Sequence, residues 1–387
     1  MKRLRVMSVF GVRPEAIKMA PVIKELERYP EVIESIVTVT GQHREMLDQV
    51  LEFYNIVPDY DLDIMEHGQT LTDIFERTLR GLEKVLIQDR PDIVLVHGDT
   101  SASFVSALAA FYQKIPVGHV EAGLRTYDKF SPYPEEINRR LTGVIADLHF
   151  APTQEAKANL LSERISEENI FVTGNTVIDT LHYTIAEDFN FRTPELQHCP
   201  WQDGRLVVME VHRRENWGSR IEQICLGVRD LVAQHDDITV VFPVHLNPVV
   251  RDTVNQVLQD IDRVILIEPL SNDEFHNLIN KAILLISDSG GVQEEAPAMG
   301  TPVLVTREET ERPEAVVAGT VRLVGTSRNG VFAAGDELLA DENKRLAMAQ
   351  AVNPYGDGRA APRIVAALLQ RFGYTEDLPS EWVYLQK

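Results

Sequence analysis

Cysteine is nearly absent: the 387-residue chain has two, Cys199 and Cys225. One pair is no disulfide framework for so long a chain, and the spacing suits no metal. Both are expected to be free thiols of a cytoplasmic protein. Long apolar runs are also missing. None nears the roughly 18 residues a membrane helix needs, so no membrane partner is expected. The opening "MKRLRVMSVFGVRPEA" has a basic tip, but its apolar stretch stops at Arg13 with no small-residue cleavage site; it reads as a first strand. Positive charge is scarce, with 38 Lys and Arg against 59 Asp and Glu for a formal net charge of −21. Nucleic acid would want a basic stripe and is excluded as a partner. An anionic small ligand would have to be held by local cations, because the global field repels it.

Familiar phosphate fingerprints are missing too. No candidate strand is followed by G-x-G-x-x-G. The loose match "GDGRAA" at Gly356–Ala361 follows "NPY" and reads as a turn opening the last helix. The P-loop pattern does not occur. These absences argue against a nicotinamide enzyme and a P-loop nucleotidase. The histidines form neither H-E-x-x-H nor a His/Cys set, and "DYDLD" at Asp59–Asp63 reads as a solvated loop. No metal and no cofactor are expected.

What the chain has in abundance is alternation. Short β-rich runs fall near Arg5–Phe10, Ser35–Thr40, Ile93–His97, Pro116–Val120, Leu148–Ala151 and Ile170–Thr173. Amphipathic segments such as "TLTDIFERTLRGLEKVLIQ" lie between them. From roughly Thr184 to Asp203 prolines and polar residues break the pattern, as a linker would. The series then restarts with "RLVVMEV", "ITVVFPV", "VILIEP", "AILLIS", "PVLVT" and "VRLVG". Two βαβα series predict an α/β protein of two Rossmann-like, doubly wound parallel sheets.

Open parallel sheets bind ligands beyond the carboxyl ends of their strands. Here strand after strand ends in polar side chains: Arg13 and Glu15; His97, Asp99 and Thr100; Glu121 and Arg125; His212, Arg213, Arg214 and Glu215; His245; Asp288 and Ser289. Six such ends favour a cleft between domains. The stretch "SDSGGVQEEAPAMG" is the most explicit. Ser289, Gly290 and Gly291 offer N–H groups at a helix start, where a phosphate can sit. Glu295, one turn on, suits the two hydroxyls of a ribose. Together they describe a nucleoside diphosphate. Glu294 is expected to face elsewhere and to act only on the helix start.

"GVRPEAIKMAPVI", "GQHREMLDQVL", "VLVHGDTSAS", "PVGHVEAGLRT", "SPYPEEINRRLTGVIADLHFAPT", "VTGNTVIDTL", "HRREN", "PVHLNP", "DSGGVQEEAPAMGTPVLV", "ETERPEAVVAGTVRLVG" and "NPYGDG" occur in this order. In them the chain resembles the non-hydrolysing UDP-N-acetylglucosamine 2-epimerases, from about Val9 to Ala361. The resemblance implies a glycosyltransferase-B-like fold with an interdomain cleft. It places an N-terminal domain at 1–183, a UDP-binding domain at 184–358, and a C-terminal helix, about 359–387, packing back on the first. It also implies a cytoplasmic homodimer that inverts C2 of UDP-N-acetylglucosamine to give UDP-N-acetylmannosamine. The family route eliminates UDP to 2-acetamidoglucal and adds it back. The product would supply cell-surface polysaccharide synthesis.

Carried over by the resemblance, the catalytic positions are Asp99, Glu121 and Glu135, with Arg139 and His212. Asp99 and Glu121 are the expected acid/base pair, and His212 serves the departing phosphate. Substrate contacts are Arg13, Lys18, Arg213, His245, Phe275, Ser289, Gly290, Gly291, Glu295 and Arg312, with Phe275 flanking the uracil. A regulatory second nucleotide sugar would meet Gln42 and Glu136, with Arg213 and His245. Val211 stands where the family has a small residue, and is expected to narrow the pocket. A hydrolysing epimerase and a glycosyltransferase of the same fold are the rival readings.

Overall fold

The computed structural model describes residues 2–384 apart from 42–43, 67, 199–200, 202–203 and 378–379. Gln42 and Cys199 lie outside the described residues; Cys225 is a buried free thiol. The chain divides into two compact units, one running to Thr180 and resuming at Tyr355, the other running from Leu181 to Pro354.

Among the described residues the first unit holds seven parallel strands: β1 (Leu4–Phe10), β2 (Ile33–Val39), β3 (Tyr60–Asp61), β4 (Ile93–His97), β5 (Val117–Val120), β6 (Leu148–Ala151) and β7 (Ile170–Val172). Their order is β3-β2-β1-β4-β5-β6-β7. Every residue of β4 and β5 is buried, as expected of parallel strands covered by helices on both faces. β3 amends the solvated-loop reading of Asp59–Asp63: the three aspartates are exposed, but two of the residues form a strand. Tyr60 and Asp61 pair with β2, and Asp59 accepts the Val37 N–H at 2.8 Å. Two residues are too few to show a strand period.

The core of this unit joins Leu4, Val6 and Phe10 to Ala16, Met19 and Ile23 of the helix Arg13–Leu26. Ile364, Val365 and Leu368 of the closing helix Ala360–Arg371 complete it. Buried Asp179 caps that helix by accepting the N–H groups of Ala360 at 3.1 Å and Ala361 at 2.8 Å. Beyond it, the Trp382 N–H donates to the Val172 carbonyl at 2.7 Å and covers the β7 edge.

The second unit holds β8 (Arg205–Glu210), β9 (Ile238–Pro243), β10 (Val264–Ile267), β11 (Leu284–Ser287), β12 (Val303–Val305) and β13 (Val321–Leu323). All are parallel, in the order β10-β9-β8-β11-β12-β13. In each sheet the strand order reverses once, beside β1 and β4 and beside β8 and β11. A doubly wound fold leaves its binding crevice at such a point. Val211 lies in this unit's core at 1% exposure, so it fills the core and narrows no pocket.

The stretch expected as a linker is instead stitched to the second unit. The Ala186 N–H donates to Asn277, Arg192 pairs with Asp273 at 2.8 Å, and Glu274 accepts the N–H groups of Arg192 and Thr193. Phe191 packs edge-on against Phe189 and Trp201. Pro194 opens a single 3-10 turn, Pro194–Leu196, and the rest of the stretch docks through aromatics and ion pairs. Among the described residues no helix is long and apolar enough to cross a membrane.

Candidate active site

In the first unit the carboxylates gather beyond β4 and β5. Glu121, directly after β5, has a left-handed backbone at φ +63° and a side chain 9% exposed. A non-glycine residue there costs of order 1 kcal/mol or more and marks a position fixed by its surroundings. Its Oε1 accepts from Lys18 Nζ and from Asn175 Nδ2, the latter at 2.9 Å. Its Oε2 lies 3.7 Å from His97 Nε2. Burial depresses the His97 pKa to about 4, Glu121 opposing and Lys18 adding to it, so the ring is neutral at neutral pH.

Asp99, two residues after β4, pairs with Arg139 Nη2 at 2.5 Å. Asn138 Nδ2 donates to the Asp99 carbonyl at 2.9 Å, so the helix Glu135–Ile145 holds this turn twice. Arg139 also reaches Glu136 at 3.5 Å. Glu136 is buried and accepts the N–H groups of Thr126 at 3.0 Å and Tyr127 at 3.1 Å, a loop-fixing arrangement. Glu135 is half-buried at the helix start and makes no side-chain hydrogen bond or ion pair among the described residues.

Beneath this cluster, Glu15 ties the turn after β1 to the turn after β4. It accepts from Gly11 N–H at 2.7 Å, Val12 N–H at 3.3 Å, Thr100 Oγ1 at 2.5 Å and Ser103 Oγ at 2.7 Å. Burial raises its pKa while those four bonds oppose the rise. Arg13, half-buried at the head of its helix, has no carboxylate partner among the described residues.

In the second unit the polar groups gather beyond β8 and β11. Asp288, fully buried, accepts the N–H groups of His212 at 3.0 Å and Arg213 at 2.9 Å, and Asn216 Nδ2 at 2.8 Å. It therefore shapes the H-R-R-E turn. His212 Nδ1 donates to Glu210 at 2.6 Å, and the ring stacks on His245 at 5.7 Å. Arg213 pairs with Glu311 at 2.9 Å. Glu311 is held down to about pKa 2: burial pushes it up, but its own backbone N–H, Arg307 and Arg213 outweigh that.

The glycine turn matches its expected geometry in part. The Ser289 N–H is taken by Ser287 Oγ at 3.0 Å. Those of Gly290 and Gly291 have no acceptor among the described residues. A Cβ on Gly290 would lie 3.2 Å from Glu311 Oε1 and 3.3 Å from Arg213 Nη2, so glycine leaves room for that ion pair beside the turn. The helix Val292–Ala298 that follows has seven residues. Glu295 turns back toward Gly291 and lies 3.4 Å from His276 Nε2. Phe275 is half-buried on the helix Asn272–Asn280. Glu294 departs from its expected role: it is buried and ion-paired with Arg312. Arg312 thus enters the site already neutralised.

Sequence reasoning named the carboxylates and the glycine turn but missed Asn175, Glu210, Glu311 and the bond between Lys18 and Glu121. Only Asn175 and Glu210 had a signal, since each stands at a strand's carboxyl end. Among the described residues no group of three His, Cys, Asp or Glu is arranged to hold a metal ion.

A family model described as UDP-N-acetylglucosamine 2-epimerase matches residues 24–369. The chain is 52% identical over 382 residues to the UDP-N-acetylglucosamine 2-epimerase of Bacillus subtilis, covering 99% of each. A crystal structure of a UDP-N-acetylglucosamine 2-epimerase matches with TM-score 0.92 at 50% identity, over 99% of this chain and 100% of that one. The Neisseria meningitidis enzyme, solved bound to UDP-GlcNAc, matches with TM-score 0.83 at 48% identity, over 95% and 100%.

Proposed function

The chain belongs to the UDP-N-acetylglucosamine 2-epimerase family, and from that premise we propose that it interconverts UDP-N-acetylglucosamine and UDP-N-acetylmannosamine by elimination and re-addition of UDP. The C2 hydrogen has no adjacent carbonyl, so direct deprotonation would be very slow. Breaking the C1–O bond builds positive charge at C1, and that charge acidifies C2–H. A carboxylate takes the proton, the C–H pair becomes the C1–C2 double bond, and the C1–O pair leaves with UDP. The return adds the UDP oxygen to C1 and a proton to the opposite face of C2.

Two faces need two proton-handling groups. The observation that carries this reading is a pair of carboxylates on adjacent strand ends, each with its own cation: Glu121 with Lys18, and Asp99 with Arg139. Glu135 assists one of them. The departing diphosphate is met in the second unit by His212, Arg213 and the N–H groups of Gly290 and Gly291, and Arg13 is a substrate contact of the first unit. Ser289 lines that turn, Glu295 takes the ribose, Phe275 flanks the uracil, and His245 supports His212. Arg312 acts through its pair with Glu294. No redox cofactor is required by this route.

In the same reading the enzyme is a cytoplasmic homodimer whose product feeds cell-surface polysaccharide synthesis, and Gln42 serves a second, regulatory nucleotide sugar. Glu136, buried and bonded to the Thr126 and Tyr127 N–H groups, fixes the loop beside it and is not itself a contact. Ile137, Leu141 and Val144 lie exposed at helical spacing, a face that suits a second copy. The test is turnover of UDP-N-acetylglucosamine in deuterated water. Substrate and product should gain one deuterium at C2, with no cofactor added and no free UDP accumulating. Epimerisation without C2 label would remove the elimination route, and accumulating UDP would make the enzyme a hydrolysing one.

A further inference from the structure

Glu210 is absent from the residues given a role above, yet both of its carboxylate oxygens are held. Its Oε1 accepts from His212 Nδ1 at 2.6 Å, and its Oε2 accepts from the Ser287 hydroxyl at 2.6 Å. Ser287 is its register partner on β11, so two neighbouring strands fix this carboxylate. Its side chain is 18% exposed and that of His212 is 35% exposed, which keeps their contact partly shielded from water.

Resting on the elimination reading, we propose that Glu210 is a positioning residue for UDP departure: by holding His212 Nδ1–H it aims the other ring nitrogen, Nε2, at the leaving diphosphate and keeps that nitrogen a donor. The tautomer gives the geometry its consequence. With Nδ1–H committed to Glu210, the protonated ring offers Nε2–H to a phosphate oxygen. The neutral ring would offer a lone pair there and repel it. Losing one proton therefore turns the leaving-group contact from attraction to repulsion.

The groups facing His212 come from three strand ends. Besides Glu210 they are Asp288, whose Oδ1 is 3.9 Å from Nδ1, the adjacent Arg213, and the stacked His245. The His212 pKa is raised above 6.5. The Glu210 bond is the largest cause; burial opposes it, the charges of Glu210 and Asp288 add to it, and Arg213 subtracts. Activity should accordingly hold up to higher pH than a free imidazolium would allow, and fall as pH passes the His212 value.

The test compares wild type with Glu210→Gln and Glu210→Asp. In the Gln variant the alkaline limb of kcat should move down by about one pH unit, and kcat at pH 8 should fall about tenfold, with KM little changed. The Asp variant, which keeps the charge, should recover much of that limb. A purely structural role would lower melting temperature without moving the limb. Histidine NMR on unliganded enzyme reads the coupling without turnover: the His212 resonance should titrate above 6.5 in wild type and lower in Glu210→Gln. An unmoved limb, or a His212 titration unchanged by the substitution, would falsify the role given to Glu210. Deuterium uptake at C2 separately decides whether elimination occurs, so the two failures cannot be confused.

Discussion

Glu121 is held from several sides, by Lys18, Asn175 and the neutral ring of His97, on a backbone that side chains rarely adopt. The Lys18–Glu121 pair is largely buried, where the cost of desolvation offsets much of the attraction, so in the proposed route the value of the Lys18 contact lies in aiming a carboxylate at C2. Misplacing a catalytic group by about 1 Å costs on the order of a hundredfold in rate. Lys18→Ala should therefore lower kcat roughly tenfold to a hundredfold while the protein still folds, and Lys18→Arg should restore part of it. Steady-state kinetics on both variants check this; an unchanged kcat in Lys18→Ala would confine the lysine to substrate binding. The carboxylates and glycines of the site were legible because strand ends of a parallel sheet are where ligands bind. Their partners were not. Asn175 reaches Glu121 across 54 residues of chain, and Ser287 reaches Glu210 across 77, so only folding brings them together. Val211 had a readable signal. It follows directly on β8, whose Leu206, Val207, Val208 and Met209 are buried on both faces, so a further valine there continues the core whichever side it takes.

Elements were clearest where burial on both faces writes an unbroken apolar run. The runs at β4 and β6 coincide with the strands formed, and the others begin or end within a residue or two of them. Fraying explains such offsets, because end residues gain little from the ladder. Docking was harder to see than existence. The closing helix was visible from its period, but its cap is Asp179, 181 residues earlier in the chain from Ala360. A carboxylate accepting two buried N–H groups is worth more than an exposed cap. Removing it loses the cap, about 1 kcal/mol, and strands the donors, about 1–3 kcal/mol more. Asp179→Ala should cost about 2–4 kcal/mol in denaturant unfolding and make the chain after Tyr355 an early site of limited proteolysis. Stability within 0.5 kcal/mol of wild type would mean that Ile364, Val365 and Leu368 hold the helix without its cap.

At the scale of the whole molecule, three buried histidines set the response to mild acid. His97, His119 and His149 lie on β4, β5 and β6, and His119 is paired in register with His149. Burial is the first cause in each case, depressing the pKa values to about 4, about 3 and about 4. The sign follows from which state binds the proton. Above the free value of 6.5 neither state is protonated and nothing is lost. Below 6.5 the unfolded chain takes up protons the folded chain refuses, so stability falls until the folded values are reached near pH 4–3. At pH 5.5 each histidine costs up to about 1.4 kcal/mol, and three together roughly 4, a large share of the ~5–15 kcal/mol of a typical domain. All three lie in the first unit, whereas Trp201 and Trp217 lie in the second and Trp382 in the first. Thermal unfolding at pH 5.5 should then show an early loss of far-UV dichroism that most of the tryptophan emission does not follow, with the two signals closer together at pH 7.5. Coincident transitions at both pH values, with no downward shift at the lower, would mean these rings find protonated partners in the folded state and that the first unit is not the acid-sensitive half.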